Sequence, residues 1–385
     1  MLLYIHVPFC RRKCRYCAFY SEASAPGSDA RLASWASALL CEMRREAEAL
    51  GHPSLRTVFF GGGTPSLLSP SLVGAVLDAA AGLFSLDAQA EISMEANPES
   101  MNEEKARGFR LAGVNRVSLG VQALDDALLA ALGRVHDKKT ALSAYSALRR
   151  AGFHNVGLDL MWGLPGQSVD NWKAQLAEAA ALSPEHLSCY GLMLEEGTPF
   201  FRERENLRLP AEEEAAAMYE EGGALLEAAG YAQYEISNYA KQGFACRHNT
   251  GYWQGEEYLG LGPAAVSCTG NERRSNVADL EAWLSAVRQG KRAASVERLG
   301  FTEKAEELVM LGLRTAQGLD LAAYRALTGR DFEKDNAALI GELLRRAMAG
   351  KKDGRFFLTR KGMLVSSAVM EQCFERIPEK PEGAA

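Results

Sequence analysis

Three cysteines near the start of the chain lie close together in sequence. Cys10, Cys14 and Cys17 have the spacing CxxxCxxC and directly follow an apolar segment, residues 2–7. Three thiolates on one short loop can bind three irons of a cubane iron–sulfur cluster and leave the fourth iron open to a ligand. An open iron indicates chemistry at the cluster rather than electron storage alone.

The same cysteines allow other interpretations, namely a disulfide pair, a zinc site or a chance spacing. A disulfide requires an oxidising compartment, whereas the sequence shows no signal peptide and is long enough not to need a covalent staple. A zinc site needs a fourth ligand, for which His6 is the nearby candidate. The other cysteines are scattered, at Cys41, Cys189, Cys246, Cys268 and Cys373. This cysteine usage predicts a reducing, cytoplasmic location.

Length and composition narrow the class of protein. With 385 residues, 47% of them hydrophobic, the chain can form one large domain and a small one. No run of 18 apolar residues is present, so no membrane span is expected. The formal net charge of -6 argues against a surface that coats nucleic acid.

The elements that must position the cysteines alternate between strands and helices. The apolar and amphipathic patterns predict strands over residues 2–7, 57–60, 91–95, 116–119, 156–160 and 186–194, and helices over 29–50, 69–84, 102–112, from 124, 140–151 and 172–182. Six β/α units in succession predict a parallel sheet with right-handed crossovers, curved into an incomplete barrel. Chemistry in such α/β folds collects at the carboxyl ends of the strands.

Polar or glycine-rich residues follow each predicted strand. Beyond the cysteine loop these are residues 61–65 (GGGTP), Glu95, Gln122, Asp159 and Glu195. Each has a purely structural alternative: a tight turn for the glycines, a helix cap for Glu95, and satisfied core polar groups for Gln122 and Asp159. Because all of them are predicted on the same rim, we expect a common site there.

Several motifs carry a resemblance to a known superfamily. These are YIHVPFC with the cysteine loop, FGGGTPS, EANPES, SLGVQ, LGRVH, LDLMWGLPGQ and HNTGYW. The chain resembles the radical S-adenosylmethionine (SAM) superfamily, in its coproporphyrinogen III oxidase-like branch, and is most similar there to the HemW-type haem chaperones. The resemblance covers residues 4–373, nearly the whole chain.

The resemblance implies a cofactor site. Cys10, Cys14 and Cys17 would ligate a [4Fe-4S] cluster whose open iron is chelated by SAM, and one electron from the cluster would cleave a C–S bond to give a 5′-deoxyadenosyl radical. Arg134 would pair with a carboxylate; taken alone it would fit a solvated helix-face charge. The residues matching the SAM site are Tyr4, Tyr16, Gly62, Gly63, Thr64, Glu95, Gln122, Arg134 and Asp159.

A second cofactor, haem, is implied by the HNTGYW motif. His248, Asn249, Tyr252 and Trp253 place an imidazole among aromatic side chains, which suits a flat tetrapyrrole with His248 as axial ligand. The alternative is a histidine that caps a turn beside packed aromatics. The sequence departs from the family at Val266, where an Ala-His-Ser triplet commonly has its histidine.

The composition predicts four segments. Residues 1–200 form the partial barrel, 201–295 an extension carrying the HNTGYW motif, 296–377 a winged-helix-like module, and 378–385 a disordered tail. The module's predicted helices are 303–313, 319–328 and 336–349, followed by a wing at 356–362. Winged helices often bind DNA, but the acidic balance and the lack of a basic recognition helix favour a packing role.

Three functions remain to be compared. The first is a haem chaperone, the second an oxygen-independent coproporphyrinogen III oxidase, and the third a non-catalytic protein whose cluster serves assembly. The oxidase carries a fourth cysteine two positions past the third, where this chain has Phe19 after Ala18, and an N-terminal extension that this sequence lacks. The resemblance therefore favours the chaperone.

The chaperone prediction implies particular partners. These are haem-accepting proteins, including respiratory and membrane-associated ones, and an electron donor of the flavodoxin or ferredoxin type. No nucleic acid is expected, and a homodimer and peripheral attachment to a membrane are both left open.

Overall fold

The computed structural model describes residues 1–23, 29–292 and 295–377. The predicted disordered tail, 378–385, lies outside these residues. The strands are β1 (Leu2–Val7), β2 (Phe9–Cys10), β3 (Glu22–Ala23), β4 (Ser54–Gly62), β5 (Ser85–Ala96), β6 (Arg116–Gln122), β7 (Val156–Trp162), β8 (His186–Gly191), β9 (Ala232–Gln233), β10 (Asn238–Ala240), β11 (Tyr258–Leu261), β12 (Val266–Thr269), β13 (Glu272–Ser275), β14 (Ser295–Arg298), β15 (Leu319–Asp320), β16 (Ala349–Lys352) and β17 (Arg355–Leu358).

Helices connect these strands, and those between the six parallel strands cover the outer face of the large sheet. They are α1 (Asp29–Ala49), α2 (Pro70–Leu83), α3 (Glu103–Leu111), α4 (Asp126–Leu132), α5 (Lys138–Arg150), α6 (Val169–Ala181), α7 (Pro199–Arg202), α8 (Glu212–Ala228), α9 (Arg247–Trp253), α10 (Leu280–Arg288), α11 (Phe301–Leu313), α12 (Leu321–Thr328), α13 (Phe332–Asp335), α14 (Ala337–Arg345), α15 (Arg360–Met363) and α16 (Ser366–Phe374). None of the helices within the described ranges is both long and apolar enough to cross a membrane.

The large sheet confirms the predicted incomplete (β/α)6 barrel. Strands β1, β4, β5, β6, β7 and β8 lie side by side in chain order and pair in parallel. Strand β11 also pairs in parallel with β1. The antiparallel strands β12, β13 and β14 extend the sheet beyond β11, and β10 and β9 extend it beyond β8.

Alternation along the six parallel strands separates the core from the barrel interior. Outward positions such as Ile5, Val58 and Leu158 are buried beneath the helices. Inward positions such as Glu95 and Asp159 line a cavity instead. Successive side chains of a strand point to opposite faces, so one face supplies the hydrophobic core while the other supplies the polar interior.

Some predicted element boundaries were wrong. The helix predicted from 124 begins at Asp126, because the Asp125 side chain accepts hydrogen bonds from the first backbone N–H groups of α4. The helix predicted over 319–328 begins at Leu321, because Leu319–Asp320 pairs as β15. The helix predicted over 336–349 ends at Arg345, and Ala349 already begins the wing strand β16.

The C-terminal module has the predicted winged-helix character. Strands β15, β17 and β16 form an antiparallel sheet in that order, with the wing turn between β16 and β17. Helices α11, α12 and α14 pack on it through a separate core that includes Val309, Tyr324, Ile340 and Phe356. The boundaries of the four predicted segments stay a proposal.

Candidate functional site

The cysteine loop follows β2 and is contacted by two side chains from other parts of the barrel rim. The Thr64 hydroxyl donates to the Cys10 sulfur at 3.4 Å, and the Arg134 guanidinium donates to the Cys14 sulfur at 3.3 Å. The backbone N–H of Cys17 donates to the Cys14 carbonyl at 3.3 Å and closes a turn. These hydrogen bonds hold the Cys10 and Cys14 sulfurs in place at the rim.

The geometry supports neither a disulfide nor a zinc site at the three cysteines. All the cysteines are free thiols. His6 does not serve as a fourth ligand, since its Nε2 is paired with the Tyr20 carbonyl at 2.9 Å and its Nδ1 with the Tyr4 hydroxyl at 3.1 Å. Within the described ranges no three His, Cys, Asp or Glu side chains form a site for a single metal ion. A cubane cluster does not need three ligands around a single metal ion, because each thiolate binds a different iron.

Asn97 joins the glycine turn to Arg134. Its amide nitrogen donates to Thr64 Oγ1 at 3.0 Å, and its amide oxygen accepts from Arg134 at 2.7 Å. In the sequence, Asn97 is part of the EANPES motif, and no role at the site is predicted for it. A short 3₁₀ helix, Pro98–Ser100, does follow, but the Asn97 side chain makes no capping bond to it and faces the cysteine loop instead. Nothing in an Asn-Pro sequence pair predicts that the asparagine links the glycine turn to Arg134.

Arg134 is a rim residue rather than a solvated helix-face charge. It follows Gly133, whose φ of 74° ends α4 in the left-handed conformation and turns the chain back toward the barrel. Besides Cys14 and Asn97, it donates to the Gly120 carbonyl at 2.9 Å. Its guanidinium therefore ties the cysteine loop to the ends of β5 and β6.

Glu95 and Gly62 are joined directly, so Glu95 is not a helix cap. The Glu95 carboxylate accepts from the Gly62 N–H at 3.1 Å. Gly62 has φ 106°, and a Cβ there would lie 2.5 Å from the His6 ring, so the position requires glycine. Burial, with a further contribution from Asp159, raises the pKa of Glu95 to about 8.

The predicted polar residues of β6 and β7 lie further along the same rim. Asp159 accepts hydrogen bonds from the Ser118 and Ser188 hydroxyls at 2.9 and 2.6 Å, and burial raises its pKa. Gln122 has φ 66° and follows a register shift between β6 and β7 that begins at Gly120. Such a bulge re-aims a side chain at the end of a strand.

A cavity of about 570 Å³ occupies the barrel interior. It holds four of the nine predicted SAM contacts, namely Tyr4, Gly62, Glu95 and Asp159. Thr64 and Arg134 contact the cysteine sulfurs, and the Tyr16 hydroxyl is hydrogen-bonded to Cys14, with its pKa raised mainly by burial. Seven of the nine predicted residues thus form two adjoining groups, one around the cysteine loop and one inside the barrel.

His248, the predicted haem ligand, lies buried at the opposite end of this cavity. Its Nδ1 shares a 2.6 Å hydrogen bond with Thr57 Oγ1, and its Nε2 lies 3.3 Å from the Tyr252 hydroxyl. The ring stacks on Phe59 with centroids 4.9 Å apart. Burial lowers the pKa of His248 to about 3. Both nitrogens are engaged, so binding an iron through this histidine would require breaking one of these hydrogen bonds.

Helix α9, which carries the HNTGYW motif, separates two cavities. Asn249 and Tyr252 line the barrel cavity with His248. Trp253 does not, because it lies on the other face of α9 and lines a second cavity. The four residues therefore do not all line one cavity, and their shared role in binding haem stays a prediction. Val266, at the position where the family has histidine, lines the barrel cavity.

Two buried residues at the lower end of the barrel were not predicted from the sequence. Arg116 is 2% exposed and lines the cavity. The nearby Cys246 and Glu91 raise the pKa of the Arg116 guanidinium. His186 shares a 2.9 Å hydrogen bond with the Tyr234 hydroxyl. Strand alternation could have found Arg116, because it shares a face with Ser118 two residues later.

Comparison with protein families agrees with this geometry. The Radical SAM superfamily matches residues 4–177, and the HemN C-terminal domain matches residues 302–365. The fold is similar to that of coproporphyrinogen III oxidase (HemN) from Escherichia coli, with a TM-score of 0.82 at 22% identity, covering 97% of this chain and 89% of that one. The two domain matches define a radical SAM protein with a HemN-type C-terminal domain.

Comparison with curated relatives is more specific. The chain is 34% identical to Heme chaperone HemW of Bacillus subtilis, over 95% of this chain and 97% of the relative. It is 37% identical to Heme chaperone HemW of Mycobacterium tuberculosis, over 96% and 93%. It is 40% identical to the mouse mitochondrial Radical S-adenosyl methionine domain-containing protein 1, over 82% and 74%. The chain belongs to the HemW family.

The radical SAM family implies a [4Fe-4S] cluster and SAM, and the residues on the rim fit both. Three thiols occupy one loop, two of them receive hydrogen bonds, and an arginine lies beside them. When bound, this cofactor pair supplies one-electron reductive cleavage of a sulfonium. This chain's own groups donate hydrogen bonds to two of the thiols, position Gly62 N–H against Glu95, and bury Asp159.

Proposed function

We propose that this protein is a haem chaperone that binds haem and transfers it to acceptor haemoproteins. The observation that carries the proposal is the similarity of nearly the whole chain, at 34–38% identity, to proteins named heme chaperones. The similarity includes the C-terminal module as well as the barrel. A shared barrel alone would leave the function open.

The proposal assigns the rim residues to the cofactors. Cys10, Cys14 and Cys17 ligate the [4Fe-4S] cluster, supported by the donors from Thr64 and Arg134 to two of their sulfurs. SAM lies across the rim and the upper barrel cavity. Its proposed contacts are Tyr4, Tyr16, Gly62, Gly63, Thr64, Glu95, Gln122, Arg134 and Asp159.

The proposal extends to partners and location. Acceptors are haem-requiring proteins, respiratory membrane proteins among them, and a flavodoxin or ferredoxin type of donor reduces the cluster. The protein works in the cytoplasm, at the membrane surface when its acceptor is there. Ala18 and Phe19 follow Cys17, where the oxidase has its fourth cysteine, and this difference supports chaperone activity over decarboxylation.

One anaerobic sample can test the proposed function. The reconstituted protein is titrated with haem and, in parallel, incubated with coproporphyrinogen III, SAM and a reductant. We expect one haem per chain and no protoporphyrinogen IX. Efficient decarboxylation would contradict the proposal, and so would the absence of stoichiometric haem binding.

A further inference from the structure

We infer that haem binds in the second cavity, between α9 and the winged-helix module, with Cys268 as the iron ligand. This inference rests on the proposed function and names the site where that function is carried out. It replaces the site that the HNTGYW motif predicts around His248.

The second cavity has a volume of about 720 Å³, within the range of sites for ligands of this size. One wall comes from the end of α9, strand β12 and the turn that follows β12, and the other from α11 and α12 of the C-terminal module. Its apolar lining includes Trp253, Leu299, Leu308, Leu311, Ala323 and Leu327.

The barrel cavity is a poorer candidate for haem. Its volume of about 570 Å³ is room for one ligand of drug size, and its upper half holds residues assigned to SAM. Its lower half carries buried polar groups, among them Arg116 and His186. A tetrapyrrole there would compete with SAM and with the hydrogen bonds of His248.

Trp253 gives the second cavity a flat aromatic wall. The Arg314 guanidinium lies 5.2 Å from the centre of its ring, and among the described residues its indole nitrogen has no hydrogen-bond partner. Large aromatic side chains pack well on a planar macrocycle. This position explains how the Trp of the motif can serve haem although His248 faces the other cavity.

The charges around the cavity match the carboxylates of a tetrapyrrole. Lys304 is hydrogen-bonded to the neutral amide of Asn271 and, in the part of the chain that the structure describes, has no carboxylate partner. The two carboxylates in the lining are already paired, Glu307 with Arg273 and Asp320 with Arg355 at 3.0 Å. Lys304 is therefore the cation available to a propionate.

Two side chains in the lining carry groups that ligate haem iron, the Cys268 thiol and the Tyr234 phenol. The Tyr234 hydroxyl is engaged with His186 at 2.9 Å and Asn249 at 3.3 Å, on the barrel side of the wall. Cys268 lies on β12, opposite Tyr258 and Arg273 in the sheet, and is half-buried. The Cys268 thiol is therefore the group that remains to ligate the haem iron.

The test compares four variants of the reconstituted full chain, titrated with ferric haem. Cys268→Ala removes the iron ligand, and Leu311→Trp fills the cavity without touching the barrel. Cys41→Ala, at an exposed cysteine, and His248→Gln are the matched controls. Iron and sulfide content and SAM affinity are measured on each variant to show that it folds with its cofactor site intact.

We expect Cys268→Ala to shift the Soret band and Leu311→Trp to weaken haem binding at least tenfold, while both controls keep the wild-type affinity and spectrum. The inference is overturned if Cys268→Ala and Leu311→Trp bind haem as the wild type does, or if only His248→Gln loses it. Either outcome would contradict the second cavity as the haem site without contradicting the proposed haem-chaperone function. No haem binding by the wild type would instead remove the proposed function.

Discussion

At the scale of single residues, the rim is organised by hydrogen bonds that converge on sulfur and on Asn97. Thr64 and Arg134 each donate to a cysteine sulfur, and Asn97 connects the two donors. These hydrogen bonds hold the three side chains in one arrangement. The cysteine loop is therefore positioned by residues from the ends of β4 and β5 and from the loop after α4, rather than by its own sequence.

The first prediction concerns the cluster ligands. Replacing Cys10, Cys14 or Cys17 by Ala should abolish a cluster of about four irons and four sulfides per chain, because a three-thiolate cubane needs every ligand. Iron and sulfide analysis after anaerobic reconstitution measures this. Cys41→Ala, the exposed control, should keep full content, and an equal loss there would contradict the assignment.

The second prediction concerns SAM. Asp159→Asn preserves shape but removes the charge that two serine hydroxyls stabilise, so SAM affinity should fall by about 1 to 3 kcal/mol. Calorimetry on the reconstituted variant checks it, with iron content unchanged. Asp170→Asn, at an exposed carboxylate in α6, is the control. Wild-type affinity in Asp159→Asn would remove this residue from the site.

The third prediction is a pH dependence from Glu95. Its pKa rises from 4.5 in the unfolded chain to about 8 in the fold, so between these values the folded state holds a proton that the unfolded state releases. Stability contributed by Glu95 must then decrease as pH rises through this window, by at most about 1.4 kcal/mol per pH unit.

Glu95→Gln cannot titrate, so it isolates this effect. The free energy of unfolding of the wild type minus that of the variant, measured without SAM, should be lower at pH 8 than at pH 5. An identical difference at both values would show that Glu95 is ionised in the fold throughout.

The sequence predicted which residues lie at the rim better than it predicted what each of them contacts. Strand ends are readable from hydrophobic patterns, so Glu95 and Asp159 could be placed on one rim from the sequence alone. Asn97 could not, because its partners Thr64 and Arg134 are distant in sequence. Trp253 and His248 were grouped because they are close in sequence, yet the turn of α9 directs them into different cavities.

At the scale of elements, α9 is held by a carboxylate from the sheet. Glu91 on β5 accepts from the backbone N–H of Arg247 at 2.9 Å and of His248 at 3.2 Å. A carboxylate at a helix N-terminus satisfies free donors and complements the helix dipole. Glu91 thereby fixes the helix that separates the two cavities.

The fourth prediction follows from this contact. Glu91→Ala should lower the free energy of unfolding by about 3 kcal/mol, since each buried donor left without an acceptor costs about 1 to 3 kcal/mol. Urea unfolding measures the loss. Asp87→Ala, at an exposed carboxylate on the same strand, should stay within about 0.5 kcal/mol of the wild type. Similar stability of the two variants would mean that Glu91 does not hold α9.

Element boundaries show why patterns alone were insufficient. The β/α alternation was predictable because each strand and helix has its own hydrophobic period. Strands β9–β14 were not predicted, since most are short and pair with sheet edges that only the complete barrel provides. The start of α12 was set by the pairing of β15 with β17, a contact across the module.

At the scale of the whole molecule, α9 and Tyr234 form a wall shared by the barrel cavity and the second cavity. SAM is assigned to one side and haem to the other. The barrel supplies a rigid frame for the rim, and the winged-helix module closes the second cavity. This arrangement fits a protein that carries haem between the barrel and the winged-helix module while the cluster stays at the barrel rim.

The most direct measurement of the chaperone claim is the rate of haem transfer. The reconstituted protein, loaded with one haem per chain, is mixed with increasing concentrations of a respiratory apo-haemoprotein from the same organism, and the acceptor's absorption band is followed. Directed delivery requires an encounter of the two proteins, so the observed rate constant should rise with acceptor concentration. A rate constant that is the same at every acceptor concentration, and equal to haem release to a passive scavenger, would contradict the account.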